Sequence, residues 1–178
     1  MNQIDYPGKD LESMSYAVNY NNWLVDMITP YLGRVTAEVG AGNDNITKLL
    51  IDKGISHLVA FEPSDKMYSI IKEELGGNPN LKLINDTFFN SVMFYENYFD
   101  SVLYLNDLQH IENDVEELLH IQQTLKPEGY LCIFVPALSW LFSKFDKSIG
   151  HFRRYENTKF RNCYHLLVTK SRKPIMLI

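Results

Sequence analysis

The segment TAEVGAGND at positions 36–44 decides the fold of this chain. It predicts a buried strand, with apolar residues at Val35, Ala37 and Val39, that runs directly into a turn bracketed by two glycines. Residues 45–51 then space their apolar side chains as one face of a helix does. A strand, a glycine turn and a helix in this order bring backbone close to a nucleotide-like ligand, because glycine lacks a Cβ atom and accepts a positive φ.

A carboxylate follows the glycine turn at the sequence separation that is typical of a nucleotide-binding βαβ unit. The second predicted strand, residues 57–61, ends at Glu62, which is 20 residues after Gly42. In a βαβ unit this acid lies beside the glycine turn, where it can accept hydrogen bonds from both hydroxyls of a ribose. The alternative interpretation is an acid at the start of the helix that begins around Pro63.

The rest of the chain continues the alternation of strands and helices. Further strands are predicted at residues 81–85, 99–105 and 130–135, with a leading helical region at 11–31 and a helix at 114–125. The apolar residues of this last helix are Val115, Leu118, Leu119 and Leu125. The fifth strand is apolar at nearly every position, which is typical of a parallel sheet buried on both faces. The predicted fold is a doubly wound, Rossmann-like α/β domain with a mostly parallel sheet.

Composition limits the kind of protein this is. The chain has 178 residues, 46% of them hydrophobic, and a net charge of −5, which fits one compact domain and does not favour nucleic-acid binding. Its longest apolar run, residues 130–142, is interrupted by Pro136 and is too short to span a membrane. Cys132 and Cys163 form no metal-ligand spacing, so we expect no metal site and a reduced, cytoplasmic setting.

Several motifs together carry a resemblance to a known family. Residues 38–44 match the pattern E/D-x-G-x-G-x-G except at the last glycine, whereas a dinucleotide dehydrogenase would need a glycine at Asn45. The chain resembles the class I S-adenosylmethionine-dependent methyltransferases in this motif and in three others: FDSV at 99–102, YLNDLQHI at 104–111 and LKPEGYL at 125–131. The resemblance covers roughly residues 11–160 and implies S-adenosylmethionine as the cofactor.

The resemblance also implies which residues bind that cofactor. The acid and glycines of the first motif border the methionine part, Asp86 faces the adenine amino group, and Thr87 lies beside the adenine ring. Asn106 lies near the methionine end. The full predicted set is Glu38, Gly40, Ala41, Gly42, Glu62, Pro63, Asp86, Thr87 and Asn106.

Two further features bear on cofactor binding. Asp44 stands where the family has its third glycine, and it either adds negative charge near the cofactor carboxylate or caps the following helix. Tyr16, Asn19 and Tyr20, on the leading helical region, are weaker candidates for residues that close over the cofactor.

A polar segment after the fifth strand narrows the resemblance to one branch of small-molecule methyltransferases. The sequence DKSIGHFRRY at 146–155 resembles the D-x-x-x-G-H-x-R-R-Y signature of that branch. Arg153 and Arg154 are predicted to bind an anionic group of the substrate, and His151 to accept a proton. Tyr155 is the second catalytic candidate. The alternative is that His151 and both arginines hold the loop together by internal hydrogen bonds, the structural role we also expect of His110.

The predicted activity is direct methyl transfer from a sulfonium to a small-molecule acceptor. Positioning can supply much of the rate in such a reaction, and a base is needed only if the nucleophile must lose a proton. Two alternatives stay open. One is a noncatalytic, degenerate methyltransferase module that still binds the cofactor, which Asp44 favours. The other is a nucleotide-cofactor oxidoreductase, which Glu38 and Asn45 argue against.

The end of the chain departs from the resemblance. We expect one methyltransferase-like domain over 1–178, with a leading helical cap at 1–33, a cofactor-binding core at 34–160 and an atypical basic tail at 161–178. Relatives usually add an antiparallel pair of strands beside strand five, so the C-terminus is expected to be shortened. Either the product is truncated, or residues 166–169 and 175–178 form a hairpin that covers the edge of its own sheet or of a partner's, as in a homodimer.

Overall fold

A computed structural model describes residues 17–156 and the strand at 175–177. Its core is a single six-stranded sheet in which every pairing is parallel and the strand order is β3-β2-β1-β4-β5-β6. The strands are β1 (Val35–Val39), β2 (His57–Phe61), β3 (Leu81–Ile84), β4 (Phe99–Leu105), β5 (Leu125–Phe134) and β6 (Ile175–Leu177). The predicted α/β fold with a mostly parallel sheet is confirmed.

Helices connect the strands and cover both faces of the sheet. They are α1 (Val18–Ile28), α2 (Asn45–Asp52), α3 (Asp65–Leu75), α4 (Phe88–Ser91), α5 (Asp114–Thr124) and α6 (Lys144–Ser148). One apolar cluster joins Val39, Phe61 and Tyr104 to Phe88 and Leu118. A second cluster, on the other face, joins the sheet to α1 and α2 through Val25, Ile28, Leu50, Leu58 and Leu103. Because successive strand residues point to opposite faces, the sheet separates the two clusters.

The strand order reverses at β1, and this reversal positions the site. β1 pairs with β2 on one side and with β4 on the other. The connection from β1 crosses one face of the sheet and the connection from β3 to β4 crosses the other, which leaves a crevice at the carboxyl ends of the strands. The glycine turn, Glu62 and the residues after β4 all lie at this edge.

The structure adds one detail of packing and corrects one predicted boundary. Val115 and Leu119 are 46% and 42% exposed, because α5 packs through Glu117, Leu118 and Ile121. β5 begins at Leu125 rather than at residue 130, with an irregular register opposite Phe99 and Ser101. The helix therefore passes into the strand without a separate loop.

The edge of β5 is covered by the chain itself. Leu131, Cys132 and Ile133 pair in parallel register with Ile175, Met176 and Leu177. This strand lies within the segment that we expected to be a basic tail. The predicted partner strand at 166–169, Cys163, Tyr16 and the start of the leading helix at 11–16 lie outside the described residues.

Candidate active site

The glycine turn is held against β2 by its backbone. The amides of Gly40 and Ala41 both donate to the carbonyl of Phe61, at 3.0 and 3.1 Å. Gly40 and Gly42 have φ values of 71° and 62°, a region that residues with a Cβ atom rarely adopt. A Cβ atom on Gly40 would lie 2.1 Å from Oδ1 of Asp107, so the position has no room for a side chain.

Glu62 faces this turn, as its spacing predicts. Its Oε2 accepts a hydrogen bond of 2.8 Å from the Gly42 amide, and its Oε1 accepts one of 2.8 Å from the Ser64 amide. The start of α3 is capped by Ser64, whose side chain accepts from Met67. Glu62 therefore lies outside the helix, and each carboxylate oxygen keeps a free lone pair for a ligand hydroxyl.

Glu38 and Asp44 flank the turn on the side of α2. The buried Glu38 carboxyl accepts a 2.7 Å hydrogen bond from Thr47 Oγ1, and burial raises its pKa to about 8. Asp44 has a φ of 72° and occupies the N-cap position of α2 without a side-chain capping bond. Burial raises the pKa of Asp44, and its carboxylate lies 3.7 Å from Lys48. Asp44 is therefore the N-cap residue of α2, as one of the two alternatives predicts, although its side chain forms no capping hydrogen bond.

The residues after β3 and β4 lie at the same edge. Asp86 Oδ1 accepts hydrogen bonds of 2.7 Å from the Thr87 amide and from Asn90 Nδ2, while Thr87 caps α4. Asn106 has a φ of 61°, and its Nδ2 donates to the Tyr20 hydroxyl at 3.2 Å. This bond brings α1 to the end of β4. Asn19, the neighbouring candidate on α1, is exposed.

Two polar residues after β4 were not singled out by the sequence analysis. Asp107 follows Asn106, and burial together with the charges of Glu62 and Glu117 raises its pKa to about 7. Gln109 is 2% exposed, donates through Nε2 to the Asn106 carbonyl at 2.6 Å, and leaves its Oε1 without a partner among the described residues. An acid at the second position after the fourth strand was the sequence signal that could have identified Asp107.

Asp146 organises the segment after β5. It forms a capping box with Ser143 at the start of α6, and it accepts from Arg154 through Nε at 2.7 Å and Nη2 at 3.2 Å. His151 Nδ1 lies 3.3 Å from the same carboxylate. The Arg154 guanidinium, followed by hydrogen bonds from Ser143 and His151, holds the pKa of Asp146 well below its usual range. The carboxylate therefore stays ionised and fixes the loop.

The predicted substrate-binding arginines are both engaged inside the protein. Arg153 pairs with Asp114 and donates to the carbonyl of Glu112. Tyr155 is 8% exposed, and its hydroxyl lies 2.9 Å from Asp114 Oδ2 and 3.2 Å from the Leu108 carbonyl. Together with the Arg154–Asp146 pair, these are the internal contacts that the alternative interpretation expects of the two arginines, and Tyr155 takes part in them. His151 differs, because its ring packs against His110 at 4.7 Å and only its Nδ1 faces Asp146.

A solvent-open cavity of about 450 Å³ lies at the opposite edge of the sheet. Its lining includes Tyr31, Arg34, Asp100 and Lys126, near the amino ends of β1, β4 and β5. The Asp100 and Lys126 side chains pair there at 2.7 Å. Ligands of open α/β sheets bind at the carboxyl ends of the strands, so we place the candidate site at the glycine turn and not in this cavity.

Comparisons with known proteins identify the family. A family profile described as a methyltransferase domain matches residues 37–133. A protein of Staphylococcus carnosus named as an uncharacterized methyltransferase is 27% identical over 165 residues, which are 92% of this chain and 74% of that protein. The chain therefore belongs to the methyltransferase-domain family, and its resemblance to the class I S-adenosylmethionine-dependent methyltransferases is confirmed.

Solved structures share the fold at low sequence identity. An S-adenosylmethionine-dependent methyltransferase from Archaeoglobus fulgidus superimposes with a TM-score of 0.69 at 15% identity, over 92% of this chain and 74% of that one. Phosphoethanolamine N-methyltransferase 2 of Haemonchus contortus gives 0.67 at 17%, over 84% and 36%. The [4+2]-cyclase SpnF gives 0.68 at 16%, over 82% and 56%. The chain thus spans about a third to three quarters of these proteins.

No helix at 17–156 is long and apolar enough to cross a membrane. In the same part of the chain, no group of three His, Cys, Asp or Glu side chains is placed to hold a metal ion.

Proposed function

We propose that this protein binds S-adenosylmethionine at the glycine turn and transfers its methyl group to a small-molecule acceptor. The observation that carries the proposal is the contact between Glu62 and the Gly42 amide at the strand-order reversal of the sheet. It puts a carboxylate with free lone pairs next to a turn that excludes side chains. Membership of the methyltransferase-domain family supports the reaction class.

The residues at the turn fit this cofactor. Glu62 has the acceptor capacity for two ribose hydroxyls, and Asp86 lies one strand further along, after β3, for the adenine amino group. Gly40, Ala41 and Gly42 present backbone to the ligand, with Pro63, Thr87 and Asn106 at its borders. The carboxyls of Glu38 and Asp107 suit a ligand that carries positive charge. The A. fulgidus neighbour is named as dependent on S-adenosylmethionine, and the H. contortus neighbour is in complex with it.

When bound, S-adenosylmethionine supplies a methyl group on a positively charged sulfur. The protein's contribution is to hold the acceptor in line with that group, an effect worth up to about 7–11 kcal/mol in favourable systems. For an acceptor that must lose a proton, we propose His151 as the base. Asp146 lies 3.3 Å from Nδ1, and when Nδ1 donates a proton to this carboxylate, Nε2 is the ring nitrogen that can accept one.

The acceptor itself is proposed only as a small molecule. The arginine pair was the basis for expecting an anionic acceptor, and both arginines are paired with carboxylates in this structure. An anion would have to displace Asp114 or Asp146 to reach them. We therefore propose no anion clamp at Arg153 and Arg154.

Calorimetric titration with S-adenosylhomocysteine, the product of methyl transfer, tests the cofactor site. We expect micromolar binding by the wild type and at least tenfold weaker binding by Glu62→Gln, because charged carboxylate acceptors form stronger hydrogen bonds than neutral amides. Glu73→Gln, an exposed acid on α3, is the matched control and should bind as the wild type does. Affinity of Glu62→Gln within a factor of two of the wild type would refute the ribose assignment.

A noncatalytic cofactor-binding module is the second candidate. It is favoured by Asp44, a side chain at the third glycine position of the family motif. Binding of S-adenosylhomocysteine without transfer to any acceptor in a screen would support this alternative. Turnover that falls in His151→Gln while cofactor affinity is kept would support the enzyme.

A further inference from the structure

Asp107 lies directly on the glycine turn. Its Oδ1, Cγ and Cβ atoms lie 2.1, 2.3 and 2.9 Å from the point that a Cβ atom on Gly40 would occupy. The carboxyl therefore fills the space above the Gly40 backbone. It reaches this position from the end of β4, whereas Glu62 reaches the turn from the end of β2, on the opposite side of β1.

Asp107 differs from the other inward-facing acids in its lack of partners. Glu38 accepts from Thr47, Glu62 from two amides, Glu117 from the Tyr104 hydroxyl, and Asp146 from Arg154. For the Asp107 carboxyl, the described part of the chain provides no hydrogen bond and no ion pair. Its side chain also caps none of the amides of the short 3₁₀ turn at Leu108–His110, which it precedes.

The charges around Asp107 are all of one sign. Glu62 faces it from the end of β2 and Glu117 from α5, and both raise its pKa. Tyr104, on β4, is a neutral phenol whose own pKa is raised partly by Asp107. An acid in such surroundings is costly for the folded protein unless a cation joins it. No side chain in the described part of the chain supplies that cation, and a cationic group of a bound ligand would supply it.

The direction of the crevice indicates which part of a ligand Asp107 meets. Under the proposed function, on which this inference rests, Glu62 and Asp86 hold the nucleoside at β2 and β3. Since the strand order is β3-β2-β1-β4, the remainder of the ligand extends across β1 towards Asp107. The only positive charges of S-adenosylmethionine, an ammonium and a sulfonium, lie in that remainder.

We propose that Asp107 recognises the positive charge of the cofactor, as an ion-pairing residue that is supplied from the end of β4. Pairing with a cation favours the ionised carboxylate, so Asp107 releases a proton when the ligand binds near neutral pH. Because the free carboxyl has a pKa of about 7, the Asp107 contribution to affinity is small at acid pH and grows as the pH rises. Glu38, with a pKa of about 8, also titrates in this range, so a neutral variant of Asp107 is needed to separate the two acids.

Titration calorimetry of wild type and Asp107→Asn with S-adenosylmethionine is the test. For a carboxyl with a pKa of about 7, the ionised fraction rises about eightfold between about pH 6 and about pH 7.5. We expect the ratio of the variant Kd to the wild-type Kd to rise by about this factor over the same interval. Repeating the titration in buffers of different ionisation enthalpy counts the protons released, and the wild type should release more than the variant. Asp52→Asn, an exposed acid at the end of α2, controls for net charge.

Three ligands identify the group that Asp107 recognises. 5′-Methylthioadenosine keeps the nucleoside and lacks both cations, so its affinity should not depend on Asp107. A dependence shared by S-adenosylmethionine and S-adenosylhomocysteine assigns the ammonium, and one confined to S-adenosylmethionine assigns the sulfonium.

The inference and the proposed function fail in different ways. Failure of the folded wild type to bind any of the three ligands refutes the proposed cofactor and this inference with it. Binding by the wild type with a Kd ratio that stays within twofold across the pH range, or with equal proton release by Asp107→Asn, overturns the role of Asp107 alone.

Discussion

At the scale of the residue, Asp44 shows how this chain keeps a glycine turn without the last glycine. Its φ of 72° is the conformation that a glycine adopts at such a turn. A residue with a Cβ atom is strained there by roughly 1–2 kcal/mol. Its ion pair with Lys48, at 3.7 Å on the surface of α2, offsets little of this strain. Asp44 therefore differs from the glycine of the family motif in its side chain, while its backbone has the positive φ that glycine favours.

The strain at Asp44 can be measured with two variants. Asp44→Gly and Asp44→Ala both remove the carboxylate, but only glycine relieves the positive φ. We expect Asp44→Gly to melt above Asp44→Ala by about 2–4 °C for each kcal/mol of strain. Thermal denaturation checks this, and equal melting temperatures would mean that the turn does not hold residue 44 at a positive φ in solution.

The sequence could identify some site residues and not others for a physical reason. Glu38 and Glu62 are tied to the glycine turn by fixed spacing within one βαβ unit. Asp107 contacts Gly40 from 67 positions along the chain, across a strand pairing that no local pattern encodes. The motif at 146–155 contains both Asp146 and Arg154. The sequence could not show whether Arg154 pairs with Asp146, as it does in the structure, or is free to bind substrate.

At the scale of the element, prediction succeeds where burial is complete. β1 was placed correctly from its alternating apolar residues and the glycine turn that follows, and β2 and β4 from their mainly apolar runs. The apolar residues of α5 do not mark its inner face, because three of its buried positions, Asp114, Glu117 and Thr124, are polar. Glu117 is 4% exposed and bonds the Tyr104 hydroxyl at 2.6 Å, so an acid stands where the apolar pattern expects a leucine.

The Tyr104–Glu117 bond joins β4 to α5, and its removal should destabilise the protein. We expect Tyr104→Phe to lower the free energy of unfolding by about 1–3 kcal/mol, because it leaves a buried carboxyl without its donor. Urea denaturation at neutral pH measures this. Tyr98→Phe, at a residue that is 43% exposed, is the control and should change stability by less than about 0.5 kcal/mol. A neutral effect of Tyr104→Phe would show that water or another group satisfies Glu117.

The loop of residues 143–156 depends on one ionised side chain. Because the pKa of Asp146 is lower in the folded protein than in the unfolded chain, its contribution to stability is complete above its unfolded pKa of about 4 and is lost as the pH falls below that value. Asp146→Asn should therefore be less stable than the wild type at neutral pH, and the difference should shrink towards about pH 3.

Hydrogen exchange locates this effect. In Asp146→Asn, the amides of residues 143–156 should lose protection, while those of β1 and β4 keep theirs. Asp26→Asn removes an exposed acid that pairs with Lys53, and it should leave this loop unchanged. Loss of protection spread evenly over the sheet would contradict a local role for Asp146.

At the scale of the whole molecule, two borders of the sheet differ in character. Carboxyl groups gather at the carboxyl ends of the strands, and the lateral edge at β5 is covered by a later segment of the same chain. Four carboxyls that lie at or near the glycine turn, Glu38, Asp44, Glu62 and Asp107, all have raised pKa values. Under the proposed function, a positively charged ligand would favour the ionised form of these carboxyls. At β5, residues 175–177 pair in parallel with the strand, where the sequence analysis expected an exposed apolar edge or a hairpin. Parallel pairing over more than 40 positions leaves no signature in local sequence, since only antiparallel pairs can be joined by a short turn.

Removing β6 tests whether it protects the sheet. Deletion of residues 175–178 would expose the backbone donors and acceptors of Leu131, Cys132 and Ile133 along an apolar strand. Such an edge pairs with other chains, so we expect a lower melting temperature and concentration-dependent light scattering. Deletion of residue 178 alone retains the paired strand and is the control. If the longer deletion stayed monodisperse with an unchanged melting temperature, the β5–β6 pairing would contribute nothing to stability in solution. A second copy of the chain that covers β5 would then be the alternative, and solution scattering would examine it.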